Sequence, residues 1–248
     1  VRARCIDQLT LTRQCKQNGY RGIMYKCHDF ITNDIAYLLR ATVPGIEVFG
    51  GIALNRNYGD TVNVQAAKMA TRVTGHYCRC IWMPTLSAAY QHRCDKLPGP
   101  GIPVLDPQGN VLPEVVRVME LCAEADIIFA SGHSSPQESL ILARKAKEIG
   151  VKKFVVTHVN SLIWKLTRDQ ILRAVDLGAF VEYCYLPRLW GPGTGEMAVE
   201  CGFDCLMGTI FFDSILDYCK QHALRYMPFV GKITGRPSVL EGTIDGMI

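Results

Sequence analysis

The chain has 248 residues, of which 48% are hydrophobic and 20% charged, and its formal net charge is +4. A chain of this length buries a core large enough to fold without disulfides or metals, and its composition excludes collagen, coiled coils and intrinsic disorder. Its basic residues are scattered and no apolar run approaches ~18 residues, so we expect neither a nucleic-acid partner nor a membrane span.

Periodicity along the chain predicts alternating strands and helices. The chain starts at Val1 rather than Met and enters a helical pattern around Ile6 and Leu9, so we expect the native N-terminus to lie upstream. Apolar, β-rich runs predict strands at residues 22–27, 46–54, 78–83, 126–130, 153–158, 179–184 and 206–212. Amphipathic runs predict helices that begin near residues 32, 62, 113, 135 and 167.

Helix boundaries are marked by specific residues in the middle of the chain. Ser135 with Glu138, and Thr167 with Gln170, have the spacing of capping boxes. Gly150 is a typical C-terminal stop. The Pro- and Gly-rich stretch 84–112 carries no such signals, and we interpret it as a loop insertion.

The eleven cysteines include no C-x-x-C pair, and several lie within apolar runs. Buried thiols behave as small hydrophobic side chains, and disulfide frameworks belong to small secreted domains. We therefore expect a reducing, cytoplasmic compartment. Cys78 and Cys80 would share one face of a strand, either as metal ligands or, the favoured interpretation, as core residues.

Strands that are apolar on both faces and alternate with helices predict a parallel sheet covered by helices. The strands end at polar positions that are 27, 30, 48, 25 and 26 residues apart, namely His28, Asn55, Thr85, His133, His158 and Cys184. One βα unit per ~25–30 residues predicts an α/β fold, a TIM-like (β/α)₈ barrel, as a single domain over residues 1–248. Seven strands are predicted instead of eight, so we expect the barrel to be incomplete. An open, doubly wound sheet is the alternative fold.

Function in either fold lies at the carboxyl ends of the strands. His133 and His158 end consecutive predicted strands, so their imidazoles are expected to reach one metal ion. The alternative is that each histidine only forms hydrogen bonds at its strand end. Glu182 ends a core strand, where a carboxylate is costly without a partner, so we expect it to support a ligand or to act as a base.

Lys26 and His28 are two residues apart and so lie on the same face of their strand. Lys26 is expected to pair with a substrate carboxylate or with a neighbouring glutamate. Asn55, at the next strand end, is a candidate for substrate binding. The chain has no dinucleotide-binding, P-loop or serine-hydrolase motif, and the Gly-rich run 191–195 contains a proline that removes a backbone donor.

Five runs carry a resemblance to a known group: residues 20–28, 44–55, 81–85, 131–138 and 155–158. In order and in sequence they resemble an uncharacterised group of amidohydrolase-like, metal-dependent hydrolases, over about residues 5–195. The resemblance implies a TIM barrel with a divalent metal, taken as Zn²⁺, with His133 and His158 as ligands. The His-x-His pair of the superfamily's first strand is not present, so that strand is taken to be missing. The last strand is divergent, and Asp213 stands at the place of its catalytic aspartate.

The sequence thus predicts a hydrolase that uses metal-activated water on a small anionic or cyclic carbonyl substrate. Lys26, His28, Glu182 and Asp213 are the predicted catalytic residues, and a homo-oligomer is compatible with the sequence. The alternative is a catalytically inactive barrel, a scaffold or oligomerisation protein in which the histidines are structural.

Two long loops are expected to cover the mouth of the barrel. The insertion 84–112 is one, and the loop 187–195 with Arg188 and Trp190 is the other. Arg188 is a candidate for binding an anionic substrate, whereas packing on the surface is the alternative role for these side chains.

Overall fold

The computed structural model describes residues 6–73, 75–161 and 163–184, together with five short segments at 205–207, 220–221, 225–227, 232–234 and 239–241. The elements of the continuous part are α1 (Gln8–Gln17), β1 (Gly22–Met24), α2 (Asn33–Thr42), β2 (Glu47–Ala53), α3 (Val64–Arg72), β3 (Cys78–Trp82), α4 (Ala89–Asp95), α5 (Pro113–Glu124), β4 (Ile128–Ala130), α6 (Pro136–Ile149), β5 (Phe154–Val156), α7 (Arg168–Asp176) and β6 (Phe180–Val181). All six strands lie within predicted strand regions.

Strands β1 to β6 form one parallel sheet in which the spatial order follows the chain order. A doubly wound sheet reverses its strand order at a switch point, and no reversal occurs here, so that alternative is wrong for this sheet. Right-handed crossovers between strands in sequential order place the connecting helices on one face of the sheet. The sheet curls into a half-barrel that is consistent with an incomplete TIM-like barrel.

The outer face of this half-barrel carries the main core. Alternate residues of the strands pack against α3, α5, α6 and α7 in one continuous cluster that includes Ile52, Ile81, Phe129 and Val156. The inner face carries a smaller cluster formed by Ala53, Cys80, Trp82 and Ala130. The strand ends around this inner cluster therefore point to one shared mouth.

The prediction that Cys78 and Cys80 share a face is wrong. Cys78 packs in the outer core and Cys80 in the inner cluster. The register between β2 and β3 shifts between Gly50 and Gly51, which pair with Cys78 and Cys80, so one extra residue of β3 is accommodated between them. A bulge of this kind interrupts the regular alternation, so residues two apart in the strand can face opposite sides of the sheet.

The helix boundaries follow the capping signals. Both predicted capping boxes form, with reciprocal side-chain and backbone hydrogen bonds at Ser135–Glu138 and at Thr167–Gln170. Gly150 ends α6 in the left-handed conformation, with φ +90°. These contacts satisfy backbone N–H groups that the first helical turn leaves without partners.

The stretch 84–112 contains more structure than the loop that we predicted. Residues Ala89–Asp95 form α4, which begins without a side-chain cap and ends at Lys96 in the left-handed conformation. Two isolated bridges, Ala88 with Ile102 and Leu105 with Val111, fold the rest of the insertion back on itself. Helix α4 has only seven residues and is followed by a Pro- and Gly-rich turn, so the sequence pattern did not indicate a helix here.

Four further strands are described: β7 (Cys205–Met207), β8 (Arg225–Met227), β9 (Lys232–Thr234) and β10 (Val239–Glu241). Strands β7 and β8 pair in parallel, whereas β9 and β10 pair antiparallel. Of the predicted strand 206–212, residues 206 and 207 fall on β7, and residues 208–212 lie outside the described residues. Asp213, Arg188 and the loop 187–195 lie outside the described residues. None of the described helices has the length and apolar character needed to cross a membrane.

Candidate active site

Three histidines from three different strand ends meet at the mouth of the half-barrel. His28 follows β1, His133 follows β4 and His158 follows β5. The ring centroids of His28 and His133 are 6.0 Å apart, and those of His133 and His158 are also 6.0 Å apart. Two imidazoles that bind one zinc ion have ring centroids about 5–6 Å apart, so these separations are compatible with the binding of one metal ion by neighbouring histidines.

His133 is held on two sides. Its Nδ1 lies 2.9 Å from Oε1 of Gln91 in α4. The Trp164 ring stacks on the imidazole, with 4.4 Å between centroids, and Trp164 Nε1 donates to the Thr157 carbonyl. Burial, together with the nearby positive charge of Lys26, holds the pKa of His133 well below its usual range, so this imidazole is neutral at pH 7.

His158 forms an ion pair with Glu182, in which His158 Nδ1 contacts Oε1 of the glutamate. Burial lowers the pKa of His158, but the attraction of Glu182 outweighs it and raises that pKa to about 9. Burial alone would raise the pKa of Glu182, whereas the charge and the hydrogen bond of His158 lower it. The nearby Cys184 side chain contributes to the raised pKa of His158. The backbone of His158 is left-handed, with φ +50°, which is strained for a residue with a Cβ atom.

Lys26 extends along the inner face of the sheet. Its Nζ lies 5.0 Å from the centre of the Trp82 ring, within cation–π distance. Burial lowers the pKa of Lys26, while the charge of Glu182 opposes this change. Among the described residues, this ammonium group forms no hydrogen bond or ion pair, and its contacts are with the Trp82 ring and the charge of Glu182.

Asn55 joins two of the strand ends beneath His28. Its Nδ2 donates to the His28 carbonyl at 2.9 Å and to Thr85 Oγ1 at 2.7 Å, and its Oδ1 accepts from the backbone N–H groups of Thr85 and Ser87. Thr85 Oγ1 in turn lies 2.8 Å from His28 Nδ1. Asn55 is 2% exposed, so it positions His28 and Thr85 from within the protein.

Polar contacts join every neighbouring pair of strand ends around the mouth. Asn55 links the ends of β1, β2 and β3, and the backbone N–H of His133 donates to the carbonyl of Pro84 after β3. Side chains and backbone link the ends of β4 and β5 through Ser131 and Thr157, and the ends of β5 and β6 through Asn160 and Cys184.

The histidine donors suit a divalent metal in one respect and fall short in another. Metal-binding histidines hold their second ring nitrogen against an oxygen acceptor, as Nδ1 of His133 and of His158 is held by Gln91 and Glu182. This arrangement leaves Nε2 of each ring for a ligand, and a metal would have to displace the Nε2 proton that His158 carries at pH 7. Among the described side chains, however, no set of three His, Cys, Asp or Glu is placed to hold one ion.

The sequence analysis named eight candidate site residues. The structure places five of them around one mouth: Lys26, His28, His133, His158 and Glu182. Asn55 lies beside them as a positioning residue, whereas Asp213 and Arg188 lie outside the described residues. Sequence reasoning missed two contributors, Gln91 and Trp164, and it named Cys184 only as a strand end. Gln91 lies in the stretch that was predicted to be a loop insertion. Trp164 follows β5 in a segment without a periodic pattern, so only its closeness to His158 in the chain indicated a role at the site.

These features define a half-barrel α/β protein with a histidine-rich site at the carboxyl ends of its strands. The chain belongs to the family of unknown function DUF6282, whose model matches residues 1–182. A search of curated proteins gives no match.

Proposed function

We propose that this protein is a metal-dependent hydrolase of the amidohydrolase type, which acts on a small anionic or cyclic carbonyl substrate. The observation that carries the proposal is the pair His133 and His158. They end adjacent strands, their rings lie 6.0 Å apart, and each Nδ1 is held by an oxygen acceptor.

The proposed fold is a TIM-like (β/α)₈ barrel that is incomplete, in which the first strand of the superfamily is missing and the last strand is divergent. In this assignment β1 to β6 are the second to seventh strands, and β7, which precedes Asp213 in the chain, is the last. The apolar side chains of Met24 and Phe180, on the two edge strands, are 38% and 60% exposed, and one further strand on each edge would cover them.

In this proposal His133 and His158 hold the metal, taken as Zn²⁺, through their Nε2 atoms. A bound ion of this kind lowers the pKa of its water to ~7 and polarises a carbonyl. Glu182 faces Nδ1 of His158 and so orients the ring, and its role as the proton acceptor of the reaction remains part of the proposal. The two described histidines are an incomplete ligand set, and further donors would come from outside the described residues.

Lys26 supplies the preference for an anionic substrate. Its ammonium group is half-buried on the inner face, near His28, and no described acceptor satisfies its donors. A substrate carboxylate would fill this position with charge-assisted hydrogen bonds, which are stronger than neutral ones. Asp213 as a second proton acceptor and Arg188 as a lid residue remain parts of the proposal.

Metal binding by the purified chain tests the proposal. After treatment with a chelator, addition of Zn²⁺ to 100 times its Kd should stabilise the protein by about 2.7 kcal/mol. For a chain of this size that raises Tm by about 5–10 °C. His133→Ala and His158→Ala should abolish the increase, and His76→Asn, at an exposed histidine, should retain it. Less than a tenth of an equivalent of metal after metal-replete expression, with no change in Tm, would overturn the proposal.

A catalytically inactive barrel is the second candidate. It is favoured by the network of polar contacts around the mouth and by the lack of a three-ligand set among the described side chains. It predicts that chelators leave Tm unchanged and that His133→Ala and His158→Ala lower it only modestly. A fall in Tm on addition of a chelator would exclude this candidate.

We also propose that the protein resides in the cytoplasm. The seven cysteines between residues 6 and 184 are free thiols, and five of them are buried. Unpaired thiols persist in reducing compartments.

A further inference from the structure

The insertion contacts His133 through the side chain of Gln91. Gln91, on α4, is 5% exposed, and its Oε1 lies 2.9 Å from Nδ1 of His133, which is 7% exposed. The two residues are 42 positions apart in the chain, so this contact joins the insertion to the end of β4.

The orientation of the Gln91 amide is fixed by the next turn of its own helix. Gln91 Nε2 donates to a carboxylate oxygen of Asp95, four residues further along α4. An ionised carboxylate accepts hydrogen bonds and donates none, so the amide NH₂ group must face Asp95. The amide oxygen therefore faces His133, and an oxygen acceptor requires a proton on the imidazole nitrogen opposite to it.

We propose that Gln91 is a positioning residue that holds His133 in the Nδ1–H tautomer, so that Nε2 presents its lone pair to the mouth of the barrel. Asp95 orients Gln91, and Trp164 holds the plane of the ring at a centroid distance of 4.4 Å. The use of that lone pair as a metal ligand depends on the proposed function, but the tautomer does not.

Nitrogen NMR of the metal-free protein, labelled with ¹⁵N-histidine, tests the tautomer directly. A protonated ring nitrogen and one with a lone pair resonate far apart, and the His133 signals are those that His133→Gln removes. We expect Nδ1 of His133 to be protonated in the wild type. Asp95→Asn frees the amide to turn and should populate the Nε2–H tautomer, whereas Gln137→Met, at an exposed glutamine near His133, should change nothing.

A wild-type spectrum with the proton on Nε2 would overturn the inference, as would an unchanged tautomer in Asp95→Asn. Zinc titration provides the second readout. Gln91→Met, which has a similar shape and no acceptor, should weaken Zn²⁺ binding about 10–100-fold, the usual loss when the hydrogen-bond partner of a ligand is removed. Equal affinities in Gln91→Met and Gln137→Met would also count against the inference. If the wild type shows the Nδ1–H tautomer and binds no zinc, the proposed function fails while the inference stands.

Discussion

Replacing Glu182 by glutamine should destabilise the metal-free protein in a strongly pH-dependent way. The variant keeps the size of the side chain and removes the charge that holds His158 protonated. The pKa of His158 lies at about 9 instead of 6.5, which corresponds at pH 7 to about 2–3 kcal/mol of stability. The two side chains are only 26% and 23% exposed, so solvent screens this attraction less than at a surface pair.

The sign of the effect follows from the direction of each shift. A raised histidine pKa gives stability that is complete below pH 6.5 and is lost as the pH rises through about 9. The lowered pKa of Glu182 gives stability above pH 4.5 that is lost as the pH falls through about 2. Glu182→Gln should therefore lower the free energy of unfolding by about 2–3 kcal/mol at pH 7 and change it little at pH 10.

Urea unfolding of both proteins at pH 7 and pH 10, with a chelator present, measures this difference. The corresponding fall in Tm at pH 7 is about 5–10 °C for a chain of this size. Glu148→Gln is a matched control, because Glu148 is 52% exposed and pairs with Lys145 at the surface. The same loss at both pH values, or a loss no larger than that of the control, would refute the reasoning.

Three further variants test the surroundings of the site. Asn55→Asp keeps the oxygen that accepts two backbone hydrogen bonds and loses the NH₂ group that donates two. It should therefore lower the free energy of unfolding in urea by about 2–4 kcal/mol; no change would contradict the positioning role of Asn55. A Cβ atom at Gly51 would lie 2.4 Å from the Cys80 carbonyl oxygen, so Gly51→Ala should cost at least about 1–3 kcal/mol; a wild-type Tm would contradict this. Trp164→Phe keeps the stacked ring and loses the bond to the Thr157 carbonyl, so calorimetry should show a loss of about 1 kcal/mol.

Much of the fold could be predicted because local signals agreed with the overall pattern. Ser135 and Thr167 each start a helix with a complete capping box, and the strands between the helices are apolar on both faces. The exceptions are short and irregular. The shift at Gly50 and Gly51, which separates Cys78 from Cys80, depends on pairing between strands, and a sequence pattern with a period of two contains no sign of it.

The candidate site could be predicted only where residues lie at strand ends. His133 and His158 were found because consecutive parallel strands end at one edge of a sheet. Gln91 and Trp164 act from a helix and a loop, so their contacts to His133 depend on tertiary packing. Lys26 was predicted as a site residue from the sequence. Its position over the Trp82 ring could not be predicted, because that position depends on the curl of the sheet.

The polar contacts between strand ends have a consequence for local motion. Asn55, Thr157 and Asn160 each form a hydrogen bond between their own strand end and that of a neighbouring strand. Opening one strand end therefore breaks hydrogen bonds of its neighbour. Amide protons at the mouth should then exchange with solvent as one cooperative group rather than strand by strand. Movements that admit a ligand would thus be confined to the connecting loops, because the hydrogen-bonded strand ends open only together.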